Sequence, residues 1–517
     1  DDRTLFNQSH TFAGNQLFKL GKDYQLTTRM LYANDRRTSD YLSHTEHFLA
    51  DSLIVTELKD ETCIHTDVLT AEATLQANTK SFFLKNTLGV DASWNSGNGW
   101  VSGTYPNREH TDTEKVKVSN RLQWIKNVGR RTFTLTSVNS YENKPQRMEV
   151  QRDASGQHQR IDASAFYTQT TGSYGWNFSS FSLSLNGGVS GVWRSMESEL
   201  EGVADSLGVL SFDAPFQNWH IYVSPKLQYK RSDWVVVLDV PLHYHSSLSE
   251  AYLSPRLSGR WDITSQWTVS LNGQWSHQPT SDNMLYSGLL MRNYRLLQQG
   301  DDRTEKEASR SLGLTVNYKN PIRAFFVNGY VSYLHHRNAF LREQLYQGDY
   351  IILYHLPQAS ESETYRLGSR VSKGWDWWEL VSTLAVSYSD SHSRMRQNGV
   401  LQPYRSDIFQ TKLDLTARPA RWVSWEYQLM YSCNCMKSDT YQSSVNHWSQ
   451  HFSVSFRPSS RWRIGMSGEH YRDVMTEKYS KSFVLLDADL SYNLSSHCEI
   501  NLRLSNLLNE KCYAFTM

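Results

Sequence analysis

Apolar and polar residues alternate one by one along much of this chain. Trp267, Val269, Leu271 and Trp275, with Gly273 among them, are interleaved with Thr268, Ser270, Asn272, Gln274 and Ser276. A period of two predicts a strand with one apolar face and one wettable face. The pattern returns in Leu312, Leu314, Val316 and Tyr318, in Leu384, Val386 and Tyr388, in Phe452, Val454 and Phe456, and in Ile500, Leu502 and Leu504. Segments 116–126, 267–277 and 422–431 reach the 9–11 or so residues that a tilted membrane-crossing strand needs. That is longer than the short strands of a propeller blade.

The connections alternate between two kinds. Leu20-Gly21-Lys22-Asp23, Lys230-Arg231-Ser232-Asp233, Lys319-Asn320-Pro321-Ile322 and Arg457-Pro458-Ser459-Ser460 are compact turn sequences. The others, over 35–62, 97–114, 144–158, 197–214, 278–307, 341–362 and 390–406, are long, polar and read as irregular. A short-turn end and a long-loop end are the two ends of an outer-membrane barrel. Aromatics follow the short turns almost every time, notably Trp234, Trp267, Trp375, Trp422 and Trp462. At one height on adjacent strands they would form an interfacial girdle. The expectation is an all-β chain: one transmembrane antiparallel up-and-down β-barrel over residues 1–517. It should have about 22 strands, with short periplasmic turns and long extracellular loops.

Composition sharpens this. Lys+Arg 53 against Asp+Glu 52 leaves a net charge of +1, which argues against a nucleic-acid partner. Aromatics at 13% argue against disorder. The strongest apolar runs, such as 234–238, are far shorter than the roughly 20 residues of a membrane helix. Five scattered cysteines do not make a disulfide framework.

Near the carboxy terminus, Asn506-Leu507-Leu508-Asn509 resembles, position by position, the N-L-[FL]-[ND]-x-x-Y signature of TonB-dependent outer-membrane receptors. Cys512 stands where that family usually has an aromatic, and Tyr513 follows one place late. The stretches around Leu5-Phe6-Asn7 and Lys22-Asp23-Tyr24 are similar to the early barrel of the larger receptors. The resemblance implies a transporter in the bacterial outer membrane, in contact with its lipids. It implies uptake of a glycan, peptide or metal chelate, driven by TonB pulling on a plug, with or without a surface lipoprotein. Asp1 begins in barrel-like sequence and Met517 follows soon after the signature, so plug and closing strand are expected to lie outside this chain. The rival expectations are a plugless passive porin or surface-binding barrel, and a soluble all-β binding protein.

No G-x-S-x-G, H-E-x-x-H or phosphate-binding glycine loop occurs in a fitting context, so neither an enzyme nor a cofactor is expected. Trp100, Tyr105, Tyr286, Tyr346, Tyr350, Tyr354 and Tyr404 fall in the long connections and are candidate ligand contacts, or loops packing on themselves. His243-x-His245 puts two imidazoles on one strand face, a spacing able to hold a metal, but no third ligand is near in sequence and no metal site is assigned. Cys433-x-Cys435 reads as two ordinary loop cysteines or a local disulfide. His335 and His336 point to opposite faces, and 301–307 reads as a solvated loop. Asp487 and Asp489 should face the lumen.

Overall fold

A computed structural model describes residues 6–48, 53–129, 131–152, 155–281, 284–439, 441–474, 480–495 and 498–508. All their strand segments, 30 in number, belong to one sheet. From Phe6–Leu20, Tyr24–Phe48 and Leu53–Asn78 onward to Ser480–Ser495 and Cys498–Leu504, each crossing pairs antiparallel with the one before it. Some crossings consist of two collinear segments. Trp234–Asp239 and Leu242–His245 both pair with Phe216–Lys230, and the break between them falls at Val240 and Pro241. Proline has no N–H to continue the ladder there.

Register assigns every position to a face, because residues directly opposite each other across a ladder share one. Leu271, Leu314, Val331, Leu367, Tyr388 and Phe409 are successive partners across six strands. One residue along, the partners are Asn272, Gly313, Ser332, Arg366 and Ser389. The first row is apolar yet lies open: Leu271 is 44% exposed, Val331 60% and Leu367 51%. A water-soluble protein does not leave so broad an apolar surface uncovered. Lipid covers it, and the polar row lines the lumen.

The expected irregular connections depart from the sequence reading in one respect. Over 35–48, 53–62, 97–103, 107–114, 390–397 and 400–406 the backbone stays paired: Tyr24–Phe48 has 25 residues and Leu53–Asn78 has 26. Their neighbours Phe83–Gly103 and Asn107–Val128 turn within three residues. At roughly 3.3 Å per residue, a 26-residue strand is ~85 Å long, more than twice what a tilted crossing uses. The excess stands outside the hydrocarbon, where both faces meet water. It therefore loses the apolar alternation and reads as loop. The cross-strand contacts there are polar, as in Asn34 Nδ2 donating to Asp67 Oδ1 at 2.9 Å.

At the short-turn end, Trp234 stacks on Trp261 at 4.8 Å, Trp267 packs on Tyr318 at 4.8 Å and Trp462 on Tyr492 at 4.3 Å. Trp422 meets Phe456 edge-on at 5.2 Å. Trp375 precedes its turn rather than following it, and Trp377–Glu379 forms the turn. At the other end of the chain, Asn506 takes a left-handed backbone, φ 54°, which Asn tolerates better than most residues. Its N–H donates to Asp487 Oδ1 at 2.7 Å, and the N–H of Leu507 to the carbonyl of Leu486 at 2.7 Å. The first residues of the signature thus fold the chain back on Ser480–Ser495. Leu508 is exposed, while Asn509 and Tyr513 lie outside the described residues.

Neighbouring substitutions test the face assignment. Leu271→Arg should destabilise the barrel by about 2–4 kcal/mol in urea unfolding from lipid vesicles, and Asn272→Arg by about 1 kcal/mol or less. Equal losses would mean that the two faces are not lipid and lumen.

Candidate functional site

Three stretches of the long-loop end leave the up-and-down wall: 202–210, 284–305 and 339–359. They do not extend into solvent. They fold onto one another and onto the inner face of the wall, where Leu200, Val150 and Gln159 point inward by register. Val203, Leu207, Leu289, Met291, Leu297 and Ile352 form an apolar core there with Val150 and Leu200. Leu289, Leu297 and Ile352 have no exposed surface at all. In a chain whose walls carry their apolar side outward, this is the buried core in the ordinary soluble sense. It forms a cap against the inner face of the wall at the long-loop end.

Polar ties hold this cap to the wall. Gln159 donates to Ser198 Oγ at 3.1 Å and accepts the N–H of Met291 at 2.8 Å. Arg194 donates to the carbonyl of Leu285 at 2.7 Å. Arg295 is 8% exposed and is clamped from three sides. It donates to the carbonyl of Asp349 at 3.1 Å and to Thr56 Oγ1 at 3.2 Å, and its guanidinium lies 3.9 Å over the Tyr105 ring. Arg152 meets the same Asp349 through its carboxylate at 2.6 Å. Small residues set the packing: a Cβ on Gly300 would lie 2.2 Å from the carbonyl of Met284, and on Gly288 1.9 Å from the Phe212 ring. Two pairings parallel in sense, Leu296–Gln299 with Tyr350–Leu356 and Leu341–Gln347 with Leu380–Gln397, are confined to this layer and its anchor. Glu109 accepts the N–H of Tyr294 at 3.4 Å, and burial raises its carboxyl above the usual carboxylate range. Burial likewise pushes the Tyr294 phenol up to about 12.

The structure sorts the seven aromatic candidates. Tyr286, 2% exposed, stacks against Phe212 at 5.8 Å within the cap. Tyr350 packs on the core and accepts from Gln157, and Tyr354 donates to the carbonyl of Leu207 at 3.1 Å. Tyr105 carries the two arginines. Tyr346 accepts from Gln344 at 2.7 Å, beside the turn that contains Asn398. Tyr404 is half-buried on the inner face, opposite Ser393 and Ser438. Trp100, 47% exposed, shares the outer face with Trp94 and is separated from the rest.

Below the cap the lumen wall holds a group that sequence spacing could not assemble. His220, 23 residues before His243, lies on the next strand, with His220 Nε2 2.9 Å from His243 Nδ1 and its ring 4.0 Å from that of His245. Tyr252 stacks on His245 at 5.8 Å. Among the described residues, no set of three or more His, Cys, Asp or Glu is placed to hold a metal ion. Cys433 and Cys435 are free thiols on the outer face of Val423–Ser438 and so lie in a strand, not a loop. His335 faces Glu361 on the outside at 3.9 Å and His336 faces Glu307 on the inside at 4.0 Å. Asp301 is neutralised by Arg303 at 2.8 Å. Asp489 lies on the inner face with Asp487 and pairs in register with Arg503.

A lipid-facing antiparallel ladder around a capped lumen defines the class of outer-membrane β-barrels. Two solved structures illustrate the likeness. The outer membrane transporter YddB from Escherichia coli matches over 96% of this chain and 76% of its own, with TM-score 0.56 and 10% identity. The ferric enterobactin receptor PfeA from Pseudomonas aeruginosa, in complex with enterobactin, matches over 93% and 80%, with TM-score 0.53 and 11% identity. At such identities the likeness is one of fold. No protein-family model and no curated protein matches the chain.

Glu109 gives the cap a pH dependence with a defined sign. Its folded pKa is raised, so the protonated form is favoured, and stability is highest below the ordinary glutamate value of about 4.3. It declines as pH rises from there through the raised value. Glu109→Gln should therefore slow protease cleavage within 284–305 at pH 7 relative to the unsubstituted protein and change it little at pH 4, measured with a protease active at both.

Proposed function

We propose that the chain is the barrel of a TonB-dependent outer-membrane transporter, which takes up a nutrient too large or too scarce for open pores. The cap carries this reading. Segments 202–210, 284–305 and 339–359 bury a shared apolar core at the long-loop end, and a passive channel gains nothing from such a layer. The resemblance of Asn506, Leu507, Leu508 and Asn509 to the receptor signature supports it, as does the fold shared with receptors and transporters of that membrane. A glycan, a peptide or a metal chelate all suit the tyrosines and amide groups around the mouth. TonB would act through a plug supplied outside this sequence. The wall would serve as a rigid, wet sleeve around the path.

Two measurements on the native protein separate this from a passive porin. Detergent should be needed to extract it from the outer-membrane fraction, and in planar bilayers it should show no steady large conductance. Deleting 284–299 should open a conductance of porin size while the protein still folds. A large resting conductance in the intact protein would favour the porin. Release from cells without detergent would end the membrane reading altogether.

A further inference from the structure

The outer face of the wall is apolar on strands such as Trp267–Pro279 and Lys306–Asn320, but one sector of it is polar. Leu88, Asn120, Asn139, Thr168 and Gly191 stand abreast on five successive crossings. One outward position nearer the short turns, the row is Asn86, Leu122, Ser137, Thr170 and Val189. Both rows point to lipid: Leu88 is 50% exposed and Val189 41%, while the alternate positions Lys117 and Arg121 fall on the lumen face. Aromatic rows bracket the sector. Phe133 faces Tyr174 on the short-turn side, and Tyr141, Phe166 and Trp193 stand abreast on the other. From Phe133 to Tyr141 the strand runs about 26 Å, close to the ~25 Å height of a barrel's apolar band. Asn86, Asn120, Ser137, Asn139, Thr168 and Thr170 therefore lie within the hydrocarbon.

We infer that this polar sector is the contact face of a homodimer, covered in the membrane by a second copy of the chain. Hydrocarbon offers no hydrogen bonds, so a polar side chain facing it has to find them in protein. The sector supplies part of the need itself. Asn120 donates to Asn86 Oδ1 at 3.0 Å, Thr168 donates to Asn139 Oδ1 at 2.6 Å, and the hydroxyls of Ser137 and Thr170 lie 3.1 Å apart. A carboxamide has two N–H donors and an oxygen with two acceptor sites, so these bonds leave capacity over. Among the described residues, Asn86 Nδ2 and Asn120 Oδ1 have no partner.

The chemistry selects a second copy as the occupant. The two rows carry no charge, and each amide both donates and accepts, so the sector is complementary to itself. A two-fold axis along the membrane normal sets every depth of one wall against the same depth of the other, and amide meets amide. Gly172 and Gly187 oppose each other beside the sector and leave bare backbone there. Small residues let membrane-spanning elements approach closely, which shortens the reach between facing polar groups. The inference goes beyond the transport reading and rests on the membrane barrel alone.

Sedimentation equilibrium of the full-length protein, extracted in density-matched mild detergent, should show a reversible monomer–dimer equilibrium. Asn120→Leu and Asn139→Leu should each weaken the dimer about ten-fold. Both variants should still fold, because leucine suits lipid better than an amide does. Leu367→Val, on the outer face but away from the sector, should leave the dimer unchanged. Slower migration after boiling, in unheated-versus-boiled electrophoresis, would show that each variant is a folded barrel. A monomer at every concentration, with no crosslinked dimer in intact outer membranes, would overturn the inference, and so would equal weakening in Leu367→Val. Crosslinking to a different membrane protein in place of a second copy would overturn it as well. Each of these results leaves the barrel and its transport reading intact. Failure of the protein to fractionate with the outer membrane would instead overturn the barrel reading itself.

Discussion

A peptide group without a hydrogen-bond partner in hydrocarbon costs several kcal/mol, and no water is there to supply one. That constraint shapes the rest of this molecule. It requires that crossings be paired, and among the described residues each crossing from Tyr24–Phe48 to Ser480–Ser495 lies antiparallel between two neighbours in one ladder. It also requires that irregular backbone be kept from the lipid. Pro241, which cannot donate, falls at a break between two collinear segments rather than inside one. The parallel pairings and long excursions sit at the mouth, where protein and water can meet their polar groups.

The same constraint explains how much of the fold was legible in the residues. A ladder with lipid on one side and water on the other writes a period of two, visible in Trp267 to Ser276 and again in Phe452 to Phe456. Tight turns such as Lys319-Asn320-Pro321-Ile322 carry their own chemistry. Where one of the two environments disappears, so does the signal. Beyond the hydrocarbon, Tyr24–Phe48 and Leu53–Asn78 have water on both faces, and their polar sequence looked like loop although the pairing continues. Residue spacing reports the contrast between faces, not the pairing itself.

The candidate site was less legible because it is tertiary. His243 and His245 share a strand and were visible as a pair, but His220 reaches them only through the ladder between Phe216–Lys230 and Leu242–His245. Arg295 looked like one more charged loop residue. Its burial against Tyr105, Thr56 and Asp349 depends on contacts up to 239 positions away. The tyrosines were singled out for loop position and aromatic character. Tyr286, Tyr350 and Tyr354 turned out to pack the cap, which is what aromatic side chains do when a loop has a core of its own.

The two hydrophobic systems of this molecule run in opposite senses. The wall turns its leucines outward, to lipid that is present before folding ends. The cap turns Leu289, Leu297 and Ile352 inward, away from water, by the ordinary hydrophobic effect. Their stabilities are therefore separable. Opening the cap exposes a small apolar core and breaks a few polar ties, while the ladder that carries the membrane span loses nothing. A mouth that opens while its wall stays fixed is what passage of a large solute demands. The cap, held by one small apolar core and a few polar ties and not by a continuous ladder, is the part of the molecule with least stability to lose.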